Sequence, residues 1–321
     1  MKKLWLWLTV LLTTTFLLVA WRWPEMPWAG LTGQKITDRV QISTPLTLPT
    51  VEPDRLLRDL NFLAFERYTA SDRQRARKYI RQELEAAGWQ VEEQPFWDGV
   101  NLYAERSGSD PSLKAVLLGA HYDTVENSPG VDDNGTGVAT VLEAARLLGS
   151  LSTPRSLKLV LFDLEEEGLL GSTAYVEQVA KTDLRGAIVL DMLGYRCEVI
   201  GCQSYPPVLP LRPPTDRGNF LAAIGDQSHP DLLESFVNQV PLPLVLTLSV
   251  PTLGGVAADL VRSDHAPFWH KGIGAVLVTD TANFRNPHYH QPSDTVETID
   301  PEFFVGSAQQ IIHAVARLLQ S

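Results

Sequence analysis

The chain is short of cysteine, short of positive charge and free of internal repeats. Two cysteines in 321 residues are too few for a disulfide framework, so a buried apolar core must hold the fold. Lys and Arg total 27 against 38 Asp and Glu, a formal net charge of −11 at pH 7. That deficit argues against nucleic acid as a partner, because phosphate binding needs a basic face. Acidity by itself means only that the protein is soluble and repels other anions. The apolar share of 44% and charged share of 20% are those of an ordinary globular protein.

Charge is also missing from the N-terminus. After Lys2 and Lys3 the next charged residue is Arg22, which leaves an uncharged run of 18 residues, 4–21. A membrane-spanning helix needs about 20 mostly apolar residues, and a signal-peptide core is shorter. Leu18-Val19-Ala20 is a poor cleavage site, and Trp21 and Trp23 suit a membrane interface. The expectation is an anchor or signal segment over 1–23, uncleaved in preference to cleaved. Either form places the remainder outside the cytoplasm. Residues 24–50 mix Pro, Thr, Trp and Gly without a period and read as a linker. A catalytic domain is expected over 51–321.

Within that domain, helical spacing such as Ala76, Ile80 and Leu84 is followed by alternating strands and helices. "KAVLLGA" (114–120), "LKLVLFD" (157–163), "GAIVLD" (186–191) and "GAVLVTD" (274–280) read as strands. "TGVATVLEAARLL" (136–148), "GSTAYVEQVA" (171–180) and the C-terminal segment read as helices, and Gly88 as a C-cap. The pattern predicts an α/β fold in three layers, with a mixed, mostly parallel central sheet flanked by helices. The Pro-rich stretch 196–217 is expected to cover or border a site.

The strands end in chemistry. The first runs into His121 and Asp123, the second into Glu165, Glu166 and Glu167, the third into Asp191. Ligands of open α/β sheets bind beyond the carboxyl ends of the strands, so these side chains are expected to converge. Converging carboxylates repel unless a cation offsets them. Imidazole and carboxylate donors without thiolate suit Zn²⁺, with Mn²⁺ or Co²⁺ as alternatives. Three carboxylates and two histidines exceed one tetrahedral zinc with an open position and suit two zinc ions.

"GAHYDT" (119–124), "GVDDNGTG" (130–137), "EEEGLLGS" (165–172), "LDMLGY" (190–195) and "YHQPSDT" (289–295) together resemble the ordered motifs of the co-catalytic di-zinc aminopeptidases. These exopeptidases are related to glutamate carboxypeptidase and, more distantly, to glutaminyl cyclases. The resemblance covers roughly residues 55–318. It implies His121, Asp133, Glu166, Asp191 and His290 as ligands of two zinc ions, with Asp133 bridging. It implies Asp123 as the carboxylate that orients His121, Glu165 as general base and Tyr289 as a hydroxyl donor to the developing oxyanion. Glu167 stands where the aminopeptidases usually carry an apolar residue. The implied activity is removal of N-terminal residues from a peptide substrate. Carboxypeptidase and glutaminyl cyclase-type aminoacyltransferase activities are the alternatives, followed by a catalytically inactive ectodomain.

Blander roles compete at each position. Asp132 or Asn134 is expected to cap the helix that follows, and "EEEG" could be a solvated charge run. His229, His270 and His313 are expected to be surface or packing residues, and His288 is the rival of His290. Asp264 and His265 in "SDHAPF" (263–268) are expected near the pocket. Cys197 and Cys202 are expected to form a local disulfide, with two free thiols as the alternative.

Overall fold

The computed structural model describes residues 48–180, 183–207, 214–237, 243–251 and 258–321. The expected anchor, and the linker apart from residues 48–50, lie outside the described residues. No helix among the described residues is long and apolar enough to cross a membrane. The chain is already fixed at Pro49 and Val51: the Gln309 amide donates to the Pro49 carbonyl and accepts from the Val51 N–H, both at 2.9 Å.

Eight strands form one mixed sheet. They are β1 (Val91–Phe96), β2 (Gly99–Arg106), β3 (Ala115–His121), β4 (Leu157–Phe162), β5 (Leu184–Leu190), β6 (Phe220–Asp226), β7 (Leu244–Val250) and β8 (Ala275–Thr279). Their order across the sheet is β1-β2-β4-β3-β5-β8-β6-β7. The centre, β4-β3-β5-β8, is parallel. The hairpin β1-β2 joins it antiparallel to β4, and β6 joins antiparallel to β8. Every residue of β3 is buried, which fits a continuous apolar run in a strand covered on both faces.

Seven helices, α1 (Pro53–Phe62), α2 (Ala70–Ala86), α3 (Gly137–Leu148), α4 (Leu170–Gln178), α5 (Pro230–Glu234), α6 (Ala266–His270) and α7 (Pro301–Gln320), occur among the described residues. Their ends follow local chemistry. Thr69 accepts from the Asp72 N–H at the start of α2, and Asp300 accepts from the Phe303 N–H at 2.9 Å at the start of α7. Gly88, at φ +84°, lies just past the end of α2, a conformation that favours glycine. The pleat sends alternate strand residues to two cores. Val116, Leu118 and Ala120 of β3 join α1, α2, α3 and α7 on one side. Ala115 and Leu117 join Tyr175 of α4 and Phe268 and Trp269 of α6 on the other. The three-layer α/β expectation therefore describes the molecule.

Strands β6 and β7 fall where none was expected. Leu244 to Val250 is bracketed by prolines at 243 and 251, and its partners in β6 lie more than 20 residues away, so no local signal marks it. The stretch 196–217 is irregular where described, is tied by the Cys197–Cys202 disulfide, and borders a cavity through Gln203, Ser204 and Tyr205.

Candidate metal centre

The carboxyl ends of three adjacent parallel strands deliver the first donors. His121 closes β3, and Asp191 follows β5 directly. Beyond β4, Leu164 adopts φ +55° and turns the chain so that Glu165 and Glu166 face the rim. Asp133 comes from the loop leading into α3. That loop requires glycine at 130: φ is +57°, and a Cβ there would lie 2.3 Å from the Thr124 methyl and 2.4 Å from the Asp133 carbonyl oxygen. His290, itself at φ +59°, comes from the loop between β8 and α7. A positive φ at a histidine costs about 1–3 kcal/mol and is typical of functional sites.

These side chains meet. His121 Nε2 lies 3.3 Å from Asp133 Oδ1 and 3.7 Å from Asp191 Oδ1. His290 Nε2 lies 3.2 Å from Asp133 Oδ2 and 3.0 Å from Glu166 Oε2. The donor atoms of His121, Asp133 and Asp191 form one triad and those of Asp133, Glu166 and His290 another, so Asp133 belongs to both; His121, Glu165 and Glu166 form a third. Four buried atoms here, His121 Nδ1, Asp133 Oδ2, Glu166 Oε1 and His290 Nε2, have no hydrogen-bond partner of acceptable geometry. Buried polar atoms are nearly always satisfied. Close approach without hydrogen bonding is what a shared cation would resolve, and the residues present fit a metal.

Electrostatics agree with that reading. Burial pushes the Glu165 carboxyl well above its usual range, and Asp264, Asp191 and Glu166 push it further against the pull of His121. Burial and then Asp133 raise Glu166 to about 7. Burial lowers the His290 imidazole, but Asp133 and Glu166 overcome it and raise it to about 10. Burial, with Asp133, Asp191 and Glu166, raises the Tyr289 phenol, so the hydroxyl keeps its proton.

Around the donors is a frame of carboxylates that hold backbone. Asp123 Oδ1 lies 3.4 Å from His121 Nδ1, and its two oxygens accept from the Glu165 and Glu166 N–H groups at 3.1 and 3.2 Å. Asp123 thus ties the end of β3 to the turn after β4. Asp294 accepts from the Asp132 and Asp133 N–H groups at 2.9 and 3.1 Å. Asp132 accepts from Leu193, Gly194 and the Asn286 amide. Thr136, not Asp132 or Asn134, occupies the N-cap position of α3, and Asn134 Oδ1 accepts from the Gly137 N–H at 3.0 Å. Arg67, fully buried, donates to the carbonyls of Tyr122, Pro129 and Gly130 and clamps the His121 and Asp133 loops from behind. Neither Asp294 nor Arg67 was expected; each works through backbone distant in sequence, which no spacing reveals.

Glu167 is exposed, whereas Glu165 is buried and Glu166 half-buried. His288 bonds Ser293 Oγ, His229 pairs with Asp226, His270 bonds the Ala266 carbonyl and His313 the Gln309 amide. Asp264 and His265 are fully buried beside the cluster; burial raises Asp264 to about 7 and lowers His265 to about 4. Tyr289 stacks on His290 with ring centroids 3.7 Å apart. Beside the donors opens a cavity of about 540 Å³, walled by β6, β7 and β8 residues such as Ile224, Leu246 and Leu277, within the size range of ligand pockets.

A parallel-centred α/β sheet with buried imidazole and carboxylate donors at its rim is the framework of a metal-dependent hydrolase. Residues 101–315 match the model of peptidase family M28, and the chain belongs to that family. It is a metallopeptidase. YfbL of Escherichia coli is 32% identical over 267 residues, which cover 76% of this chain and 79% of that protein. Aminopeptidase YwaD of Bacillus subtilis is 32% identical over 199 residues, 58% of this chain but 37% of its own length. The fold is also that of the Legionella pneumophila LapA aminopeptidase, at a TM-score of 0.67 and 19% identity over 84% of this chain and 73% of that one.

Proposed function

We propose that the chain is a zinc-dependent exopeptidase that removes N-terminal residues from peptides at a two-zinc centre. The observation that carries this reading is Asp133, a single carboxylate shared by two triads of donors. His121, Asp133 and Asp191 would hold one ion, and Asp133, Glu166 and His290 the other. The donor chemistry suits zinc, and the two cysteines are occupied with each other. Bound zinc lowers the pKa of water toward neutrality and polarises a carbonyl.

The protein's own groups do the rest. Glu165, buried beside His121 and Glu166, accepts a proton from the attacking water and returns it to the leaving amine nitrogen. Such help is worth roughly 10²- to 10⁴-fold. Tyr289 donates its hydroxyl to the carbonyl oxygen as charge develops. Asp123 keeps His121 oriented. The acidic rim attracts a free amino terminus, and relatives named as aminopeptidases support the same end of the peptide.

The test uses the purified full-length chain loaded with zinc and one short peptide in three forms: free at both ends, N-acetylated and C-amidated. Mass spectrometry with a chelator control reads the products. Loss of the first residue only from forms with a free amino end is expected. Trimming that survives acetylation and stops on amidation would instead assign a carboxypeptidase. No cleavage would revive the cyclase and ectodomain readings.

We further propose that residues 1–23 anchor the chain in a membrane with the catalytic domain on the extracytoplasmic side. The disulfide supports an oxidising compartment. The full-length protein is then expected in the membrane pellet after an alkaline wash, and its release by that wash would sink the idea.

A further inference from the structure

Arg262 is the only lysine or arginine among the described residues lining the cavity beside the donors, whose other charged wall residues are Asp133, Glu165, Glu166, Asp191 and Asp259. Its guanidinium donates Nη1 to Asn283 Oδ1 at 3.1 Å and Nη2 to Tyr289 Oη at 3.0 Å. Both acceptors are neutral. Its one carboxylate neighbour, Asp259, stands 3.8 Å away, and the Arg262 side chain remains 44% exposed. A guanidinium carries five N–H donors in a rigid fork, so several are left for a ligand.

Its position relates it to the chemistry. Arg262 touches Tyr289, Tyr289 stacks on His290 at 3.7 Å, and His290 Nε2 lies 3.2 Å from Asp133. One aromatic ring separates the cation from the donor cluster.

We propose that Arg262 is a subsite for a carboxylate of the substrate, a role that rests on the peptidase reading above. The planar fork matches a carboxylate through paired hydrogen bonds. Among the described residues of the cavity wall it is the one cationic side chain, set among carboxylates. The carboxylate has two possible sources: the side chain of an acidic residue, or the terminal carboxylate of a short peptide. In both cases the enzyme selects substrates by an anion held beside Tyr289.

The experiment compares full-length zinc-loaded wild type, R262Q and R262K on four peptides. Leu-Gly against Leu-Gly-amide isolates the terminal carboxylate. Glu-Gly-amide against Gln-Gly-amide isolates the side-chain carboxylate. One pair is expected to show a preference in kcat/KM of roughly tenfold or more for the charged member, the size of one charged hydrogen bond. R262Q is expected to erase it through KM, and R262K to retain part. Absence of a preference in wild type, or an equal loss on charged and neutral members in R262Q, overturns the proposal. Wild-type turnover of the neutral members reports separately on the peptidase reading.

Discussion

Single substitutions separate the roles proposed for Glu165 and for Asp294. Glu165 holds a raised proton affinity without tying down backbone, so Glu165→Gln is expected to keep its metal and fold while turnover falls roughly 10²- to 10⁴-fold. Metal analysis alongside kinetics checks this; an active Glu165→Gln beside a metal-poor, inactive Glu166→Gln would overturn the choice of base. Asp294 touches no donor atom of the cluster but holds the N–H groups of Asp132 and Asp133. Asp294→Ala is expected to weaken zinc binding by about 10- to 100-fold, as loss of such supporting groups does. A competitive chelator titration reads that shift, and unchanged affinity would mean the loop is held elsewhere.

At the scale of elements, the site depends on how closely β3 and β4 approach. Gly119 faces that seam: a Cβ on it would lie 2.8 Å from the Phe162 ring and 2.9 Å from the Val160 carbonyl oxygen. Gly119→Ala is therefore expected to destabilise by about 1–3 kcal/mol and to displace His121, two residues on. Denaturant melts with a metal titration test both effects, and a melt matching wild type would show that the seam yields. The strands of this parallel centre were readable from continuous apolar runs ending in Asp, Glu or His. Strands β6 and β7 were not, because their pairing is non-local and their apolar residues face a partly open cavity.

At the scale of the molecule, the metal-free chain carries a buried acidic load that depends on pH. Burial, aided by neighbouring carboxylates, raises Glu166 and Asp294 to about 7, and burial raises Asp264 to about 7. The folded chain holds these protons to near pH 7, and the unfolded chain releases them near pH 4. Unfolding thus releases protons between about pH 4 and 7, and stability falls as pH rises through that window. His290, at about 10, adds stability that is full below about 6.5 and is lost as pH rises through about 10. His265, at about 4, opposes this trend only between about 6.5 and 4. Thermal melts in chelator between about pH 5 and 8 are expected to show Tm falling with pH, with zinc restoring more at the upper end. A Tm that rises with pH in chelator would contradict this charge balance.

The sequence by itself determined the α/β class, the central strands and the acidic net charge, and it marked eight candidate site residues. Each of these rests on local periodicity or on residue types that cluster where a strand stops. Tertiary structure decided what depends on distance: that Asp133 lies between His121 and His290 and that Glu167 faces solvent while Glu166 does not. It also decided that Asp294 and Arg67 hold the loops and that Arg262 stands against Tyr289. Those contacts join segments up to about 160 residues apart, and their energies come from burial and the loss of water, which no spacing along a chain encodes.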